Sequence, residues 1–161
     1  MSAAVRWREG RREDVATAVA MLADDMLGAG RETAELARYL AAFDAMRAEG
    51  NNRLIVGETG GETGGETGGE IVAIYQITVI SGLSLSAARR AQIEGVRVSA
   101  AVRGQGVGAA LLADAEARAR AAGCSLLQLT SNATRKDALR FYERAGFVAS
   151  HVGFKKVLGG D

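Results

Sequence analysis

Proline is absent from the 161 residues, so no turn or helix start rests on a ring-locked φ, and turns must come from glycine, asparagine and serine. Cysteine and histidine occur once each, as Cys124 and His151. A lone cysteine excludes an internal disulfide and fits a reducing cytoplasm, and its expected role is packing. His151 has no second histidine or cysteine beside it, so it is read as structural and no metal is expected. An excess of one charge is also missing. Twenty basic residues stand against nineteen acidic ones, which leaves no electrostatic footprint for nucleic acid or an anionic membrane. No apolar run approaches the roughly 18 residues of a membrane span, and "MSAAVRWREGRRED" lacks the apolar core of a signal peptide. The expectation is a soluble cytoplasmic protein.

What is present is an apolar content of 48%, enough in a chain of this length for one continuous core and a single domain, 1–161. Alternation at Val5 to Arg8 predicts a strand. Helical spacing of Val15, Val19, Leu22 and Met26 predicts a helix ended by Gly28 and Gly30, and a second helix is expected from Glu32 to Glu49. Strands at Arg53–Gly57 and Ile71–Ile80 follow, joined by "GETGGETGGETGGE". The unit GETG occurs three times from Gly57 to Gly68. Its period is too short for a solenoid, so residues 57–70 are read as a flexible, repeat-expanded hairpin tip.

A strand at Ala91–Val98 leads through "SAAV" into "RGQGVG" and then a helix whose inner face is Val107, Leu111, Ala115 and Ala122. Asp114 with Arg118 and Glu116 with Arg120 are pairs four apart. Gly123 stops this helix. A strand "SLLQLT" and a helix through "TRKDALRFYERAG" come next, with Thr134 and Asp137 as its capping box and Gly146 as its end. Two closing strands are expected around "FVASH" and "FKKVL". The order β-α-α-β-β-β-α-β-α-β-β describes an α/β fold, a mixed, mostly antiparallel sheet flanked by helices.

Strand, glycines, helix is the arrangement that aims unpaired backbone amides and a helix dipole at one point, where an anion fits. From Gly104 the residues also match G-x-G-x-x-A, with Ala109 last. A dinucleotide fold would then need an acidic residue about 20 positions on, at the end of the next strand, and "LLQLT" has none. A phosphate-binding loop of the Walker type needs Lys then Ser or Thr after its last glycine, but Gly108 precedes two alanines.

"VRVSAAVRGQGVGAALL" resembles the signature of the GNAT superfamily of acetyl-CoA-dependent acetyltransferases, its Arg/Gln-x-x-Gly-x-Gly/Ala motif falling on Arg103, Gly106 and Gly108. A second block, "DALRFYERAGF", resembles the family's Ala-x-x-x-Tyr-Glu-x-x-Gly-Phe segment. The resemblance spans about Val5 to Leu158 and implies a GNAT-like sheet with acetyl-CoA as co-substrate. It implies that backbone amides of Arg103, Gly104, Gln105, Gly106, Val107 and Gly108 hold the pyrophosphate, with Ala109 beginning the helix. Val96, Arg97 and Val98 would pair with the pantetheine arm, the Val98 amide stabilising the oxyanion.

An alkyl ammonium has a pKa of about 10.4, so few acceptor molecules are nucleophilic at neutral pH and a base helps. The resemblance puts Glu94 in that role, directly or through water; the other reading is a strand carboxylate paired with Arg89, Arg90 or Arg97. Gln92 shares its face and is a candidate to line the site, though not to act as a base. Tyr142 is implied as the acid that protonates the leaving thiolate; the other reading is helix-face core beside Phe141. Many family members carry Asn where this chain has Arg135, which is read as a phosphate contact, with Asn132 as a replacement. Asp24, Asp25, Glu32 and Glu35 are either an attraction for a cationic amine or simply solvated.

The resulting expectation is acetyl transfer from acetyl-CoA to a primary amine of a small molecule or peptide by direct attack. A homodimer is compatible with the sequence, which leaves the oligomeric state open. The alternatives are a non-catalytic acyl-CoA-binding or sensing module on the same fold and, with less support, an NAD-binding domain.

Overall fold

The computed structural model describes residues 4–24, 26–60 and 69–159. The chain divides into two compact units, Met1–Gln128 and Leu129–Asp161. In the first, strands β1 (Arg6–Glu9), β2 (Asn52–Thr59), β3 (Glu70–Ile80), β4 (Arg90–Val98) and β5 (Leu126–Leu129, whose last residue opens the second unit) form one sheet in the order β1-β2-β3-β4-β5. The first four are antiparallel neighbours. The Ser125 N–H donates to the Arg89 carbonyl at 2.8 Å and the Gln128 amide donates to Gln92 at 2.9 Å. These two tie points advance together, so β5 runs parallel to β4, as a β-α-β crossover requires.

Side-chain alternation divides the sheet into two apolar faces. Ile55, Tyr75, Ile77, Ala91 and Ile93 are buried, and helix α5 (Val107–Ala121) packs on β3 and β4 through Leu111, Leu112 and Ala115. Val56 and Ile74 meet Ala18 on the other face, with Met21, Leu22 and Leu54 around them. Each fully buried Ile or Leu contributes roughly 1.5–3 kcal/mol. Ala18, Met21 and Leu22 belong to α1 (Val15–Ala23), and α3 (Leu36–Glu49) packs on β2.

Several boundaries depart from the sequence expectation. Met26 does not extend α1, which stops at Asp24, where ψ is 42°. It opens a separate helix α2 (Met26–Arg31) that contains Gly28 and Gly30 rather than ending at them. Glycine's intrinsic cost in a helix is only about 1 kcal/mol, which tertiary context overrides. The next helix begins at Leu36 with Glu35 as its cap, not at Glu32. A single turn α4 (Ser84–Ala87) lies between β3 and β4, with Leu85, Ser86 and Ala87 at φ of 54–58°. Helix α5 begins at Val107 rather than Ala109.

The first GETG unit is not a loose tip. Gly57, Glu58 and Thr59 lie in β2, and Thr59 pairs with Glu70. Glu58 is only 3% exposed. Its carboxylate accepts from Arg6 and, at 3.1 Å, from Arg8 Nε. Arg8 also clamps Asp14 at 2.7 and 3.1 Å. The rest of the tip, residues 61–68, lies outside the described residues, as does Asp25.

In the second unit, α6 (Lys136–Arg144) ends at Gly146, whose N–H donates to the Glu143 carbonyl at 3.0 Å. Thr134 does not cap it. Asn132 Oδ1 accepts both the Thr134 N–H, at 3.0 Å, and its hydroxyl, at 2.7 Å, and Arg135 occupies the cap position. The two closing strands are not formed: residues 147–159 carry no regular structure. Val148, Val152, Phe154, Val157 and Leu158 are at least 79% exposed. Alternation describes side chains, whereas a strand exists only where its N–H and C=O groups find a neighbouring strand.

Candidate active site

The C-terminal half of β4 is irregular at the point where chemistry is expected. Ile74 opposes Arg97 and Gln76 opposes Glu94, so Tyr75 faces both Gly95 and Val96, which is a β-bulge. Gly95 adopts φ of 59°, and a side chain there would meet Leu22 Cδ2 of α1 at 3.3 Å. Both conditions favour glycine. Past the bulge, Arg97 Nη1 donates to the Val96 carbonyl at 2.9 Å and Val98 closes the strand opposite Ala73.

Ser99 then turns the chain: its N–H donates to Val72 at 2.7 Å, and its hydroxyl and carbonyl accept the N–H groups of Ala101 and Val102. A 3-10 turn at Ala100–Val102 leads into Arg103–Gly106. Gly104 and Gly106 adopt φ of 76° and 79°, and the space over both is open. Left-handed backbone, rather than crowding, is what calls for glycine here. Among the described residues, the N–H groups of Gly104, Gly106, Val107, Gly108 and Ala109 have no backbone acceptor. These are donors at the positive end of α5, beside open space, and they fit a pyrophosphate.

The base of this loop is tied to the sheet by a contact the sequence did not reveal. Tyr75, fully buried, donates its hydroxyl to Asp114 of α5 at 2.6 Å, and Arg118 Nε donates to the same carboxylate oxygen at 2.8 Å. Burial and the bond to Asp114 push the Tyr75 phenol well above its usual range, with Arg118 opposing them. The Asp114 and Arg118 pair was legible from its spacing, but nothing in a strand alternation singles out Tyr75 as its third member.

Glu94 is exposed. Its carboxylate accepts from the Gln92 amide at 3.0 Å, not from Arg89, which donates to Ser81. Glu94 and Gln92 therefore stand together on the strand that carries Val96, Arg97 and Val98. Of the acidic residues near the first helices, Asp24 is exposed and Glu32 accepts the Tyr39 hydroxyl at 2.9 Å. Tyr142, Asn132 and Arg135 belong to the second unit. There Tyr142 is half-buried, its ring 5.2 Å from Phe141 and 5.9 Å from Phe147. His151 is exposed and its Nδ1 lies 2.6 Å from the Ser150 hydroxyl. Among the described residues no helix is long and apolar enough to cross a membrane.

The family model described as "Acetyltransferase (GNAT) family" matches residues 25–147. The chain belongs to the GNAT family. It is 44% identical, with a TM-score of 0.85, to a transcriptional regulator of known crystal structure from Bacillus halodurans C-125, over 96% of this chain and 100% of that one. It is 46% identical to an aminoalkylphosphonate N-acetyltransferase of Salmonella typhimurium over 67 residues, which are 42% of this chain and 44% of that protein. The chain thus matches less than half the length of that curated relative. A third neighbour shows the fold alone, at 15% identity and a TM-score of 0.70 over 96% and 97% of the two chains: a predicted acetyltransferase from Clostridium acetobutylicum solved with acetyl-CoA. The family is one of acetyltransferases, whose acyl donor is acetyl-CoA.

Proposed function

We propose that the protein transfers acetyl from acetyl-CoA to the primary amine of a small molecule or peptide by direct attack of the amine, without an acyl-enzyme. The observation that carries this reading is the loop Arg103–Gly108, whose two left-handed glycines leave a row of amides without acceptors at the start of α5. Those amides would hold the pyrophosphate of acetyl-CoA, which supplies the activated acyl group. Val96, Arg97 and Val98, past the bulge in β4, would pair with the pantetheine arm, and the Val98 N–H would polarise the acyl carbonyl.

Glu94 is assigned to take the proton of the acceptor ammonium. Its exposure favours a relay through water over direct contact. Tyr142 is assigned to protonate the leaving thiolate. Arg135 and Asn132 are assigned to the cofactor's phosphates, and single-domain behaviour and a cytoplasmic location complete the reading.

Thiol release from acetyl-CoA in the presence of a panel of amines tests it, and the name of the Salmonella typhimurium relative makes short aminoalkylphosphonates the first acceptors to try. Turnover with at least one amine class, lowered about a hundredfold or more in Tyr142→Phe, is the expected result. A second reading, an acyl-CoA-binding module without turnover, draws support from the relative described as a transcriptional regulator. Tight coenzyme A binding with no thiol release on any amine would favour it.

A further inference from the structure

Glu94 is exposed, and an exposed glutamate has several side-chain torsions to lose before its carboxylate keeps one position. The strand it stands on supplies what holds it. Ile93 is 1% exposed and turns to the α5 side, so Gln92 and Glu94 share the other face, that of α1. Gln92 opposes Thr78 and Glu94 opposes Gln76 in β3. Gln76, directly across from Glu94, gives its amide to Asn52 at 2.8 Å. The donor to Glu94 is Gln92 instead, whose Nε2 lies 3.0 Å from Oε1. Gln128 of β5 in turn donates to Gln92 Oε1 at 2.9 Å.

The direction of this chain of amides follows from the chemistry at its end. A carboxylate only accepts, so Gln92 must turn its NH2 group to Glu94, which aims its oxygen at β5, and only a donor can meet that oxygen. Gln128 is that donor. Both glutamines are half-buried. Glu94 Oε2 has no hydrogen-bond partner among the described residues. One oxygen of the carboxylate is thus anchored and the other is left for a proton.

We infer that Gln92 and Gln128 are positioning residues for acetyl transfer: Gln128 fixes the amide of Gln92, and Gln92 fixes the Glu94 carboxylate with Oε2 left to take the proton of the acceptor ammonium, directly or through water. The inference rests on the reading of Glu94 as the base. It adds two residues, on two strands, that touch no reacting atom.

Steady-state thiol release from acetyl-CoA, with n-propylamine, aminopropylphosphonate and a lysine peptide as acceptors, tests it. Gln92→Leu is expected to lower kcat about tenfold and to leave the KM for acetyl-CoA unchanged. In a Glu94→Gln background, itself lowered about a hundredfold or more, the same substitution has no further effect, because the carboxylate it holds is gone. Gln128→Lys still donates and stays within about twofold of wild type. Gln128→Glu only accepts, so it turns Gln92 round, presents the amide oxygen to Glu94 and lowers kcat about tenfold. Three results overturn the positioning role and leave Glu94 as the base: a wild-type rate in Gln92→Leu, an undiminished loss in the Glu94→Gln background, or a contrast between Gln128→Lys and Gln128→Glu that persists in Gln92→Leu and so reports charge alone. Glu94→Gln at full rate, or no thiol release with any of the three acceptors, overturns the base reading itself, and the positioning role falls with it.

Discussion

Gly104 and Gly106 combine two features in one turn: left-handed backbone and N–H groups without a backbone acceptor. Replacing Gly106 by Ala forces a side chain into φ of 79°, at a cost of roughly 1–2 kcal/mol. We expect a lower Tm together with a coenzyme A affinity reduced several-fold in titration calorimetry. An unchanged affinity would remove the loop from the binding site. The turn at Arg103 to Gly108 was legible because left-handed backbone at Gly104 and Gly106 calls for glycine at fixed spacing before a helix. Tyr75 was not legible, because its partner lies 39 positions away and a long-range hydrogen bond leaves no periodic trace. The partner of Glu94 was equally hidden: three arginines nearby suggested an ion pair, and the neighbouring amide of Gln92 took the carboxylate instead.

Elements are held to one another here by a few buried polar contacts laid over apolar packing. Helix α5 is fixed to β3 by Tyr75, whose phenol is raised by burial and by Asp114. A raised phenol stabilises the fold fully below its unfolded value of about 10, and that contribution is lost as pH climbs beyond it. Wild type should therefore lose stability in alkaline denaturant melts more steeply than Tyr75→Phe. At neutral pH that variant should be about 1 kcal/mol less stable, from the lost hydrogen bond.

Strand β1 shows the opposite sign. Burial alone would raise the carboxyls of Asp14 and Glu58, but the Arg8 guanidinium and the Arg11 N–H at Asp14, and Arg6 and Arg8 at Glu58, hold both below their ordinary values of 3.8 and 4.5. Their contribution is present above those values and disappears as pH falls through the lower folded ones. Urea midpoints measured from pH 6 downward should drop in wild type and drop less in Glu58→Gln. The strands of this sheet were readable from alternation, while the start of α6 was misplaced because Thr134 bonds Asn132 instead of capping the helix.

Along the described residues, apolar alternation was a sound guide where a neighbouring strand existed and failed over 147–159, which carry no strand. Phe154 is 92% exposed, so Phe154→Ser should change stability by no more than about 0.5 kcal/mol in a denaturant titration. A larger loss would mean that another surface covers it in solution. The repeat carries a further consequence. Its first unit supplies the end of β2, with Glu58 locked between Arg6 and Arg8, and each following unit repeats the same four residues. Removing one or two whole units returns an identical strand end beside Glu70, and shortening a loop alters its closure cost by only about 0.6 kcal/mol per halving. Deletions of four or eight residues should thus leave the melting temperature nearly unchanged, which thermal melts of the shortened chains check. Slippage of a direct repeat in the coding DNA, which adds or removes whole units, would be silent for the fold: the hairpin can change length in steps of one unit without ever losing its glutamate.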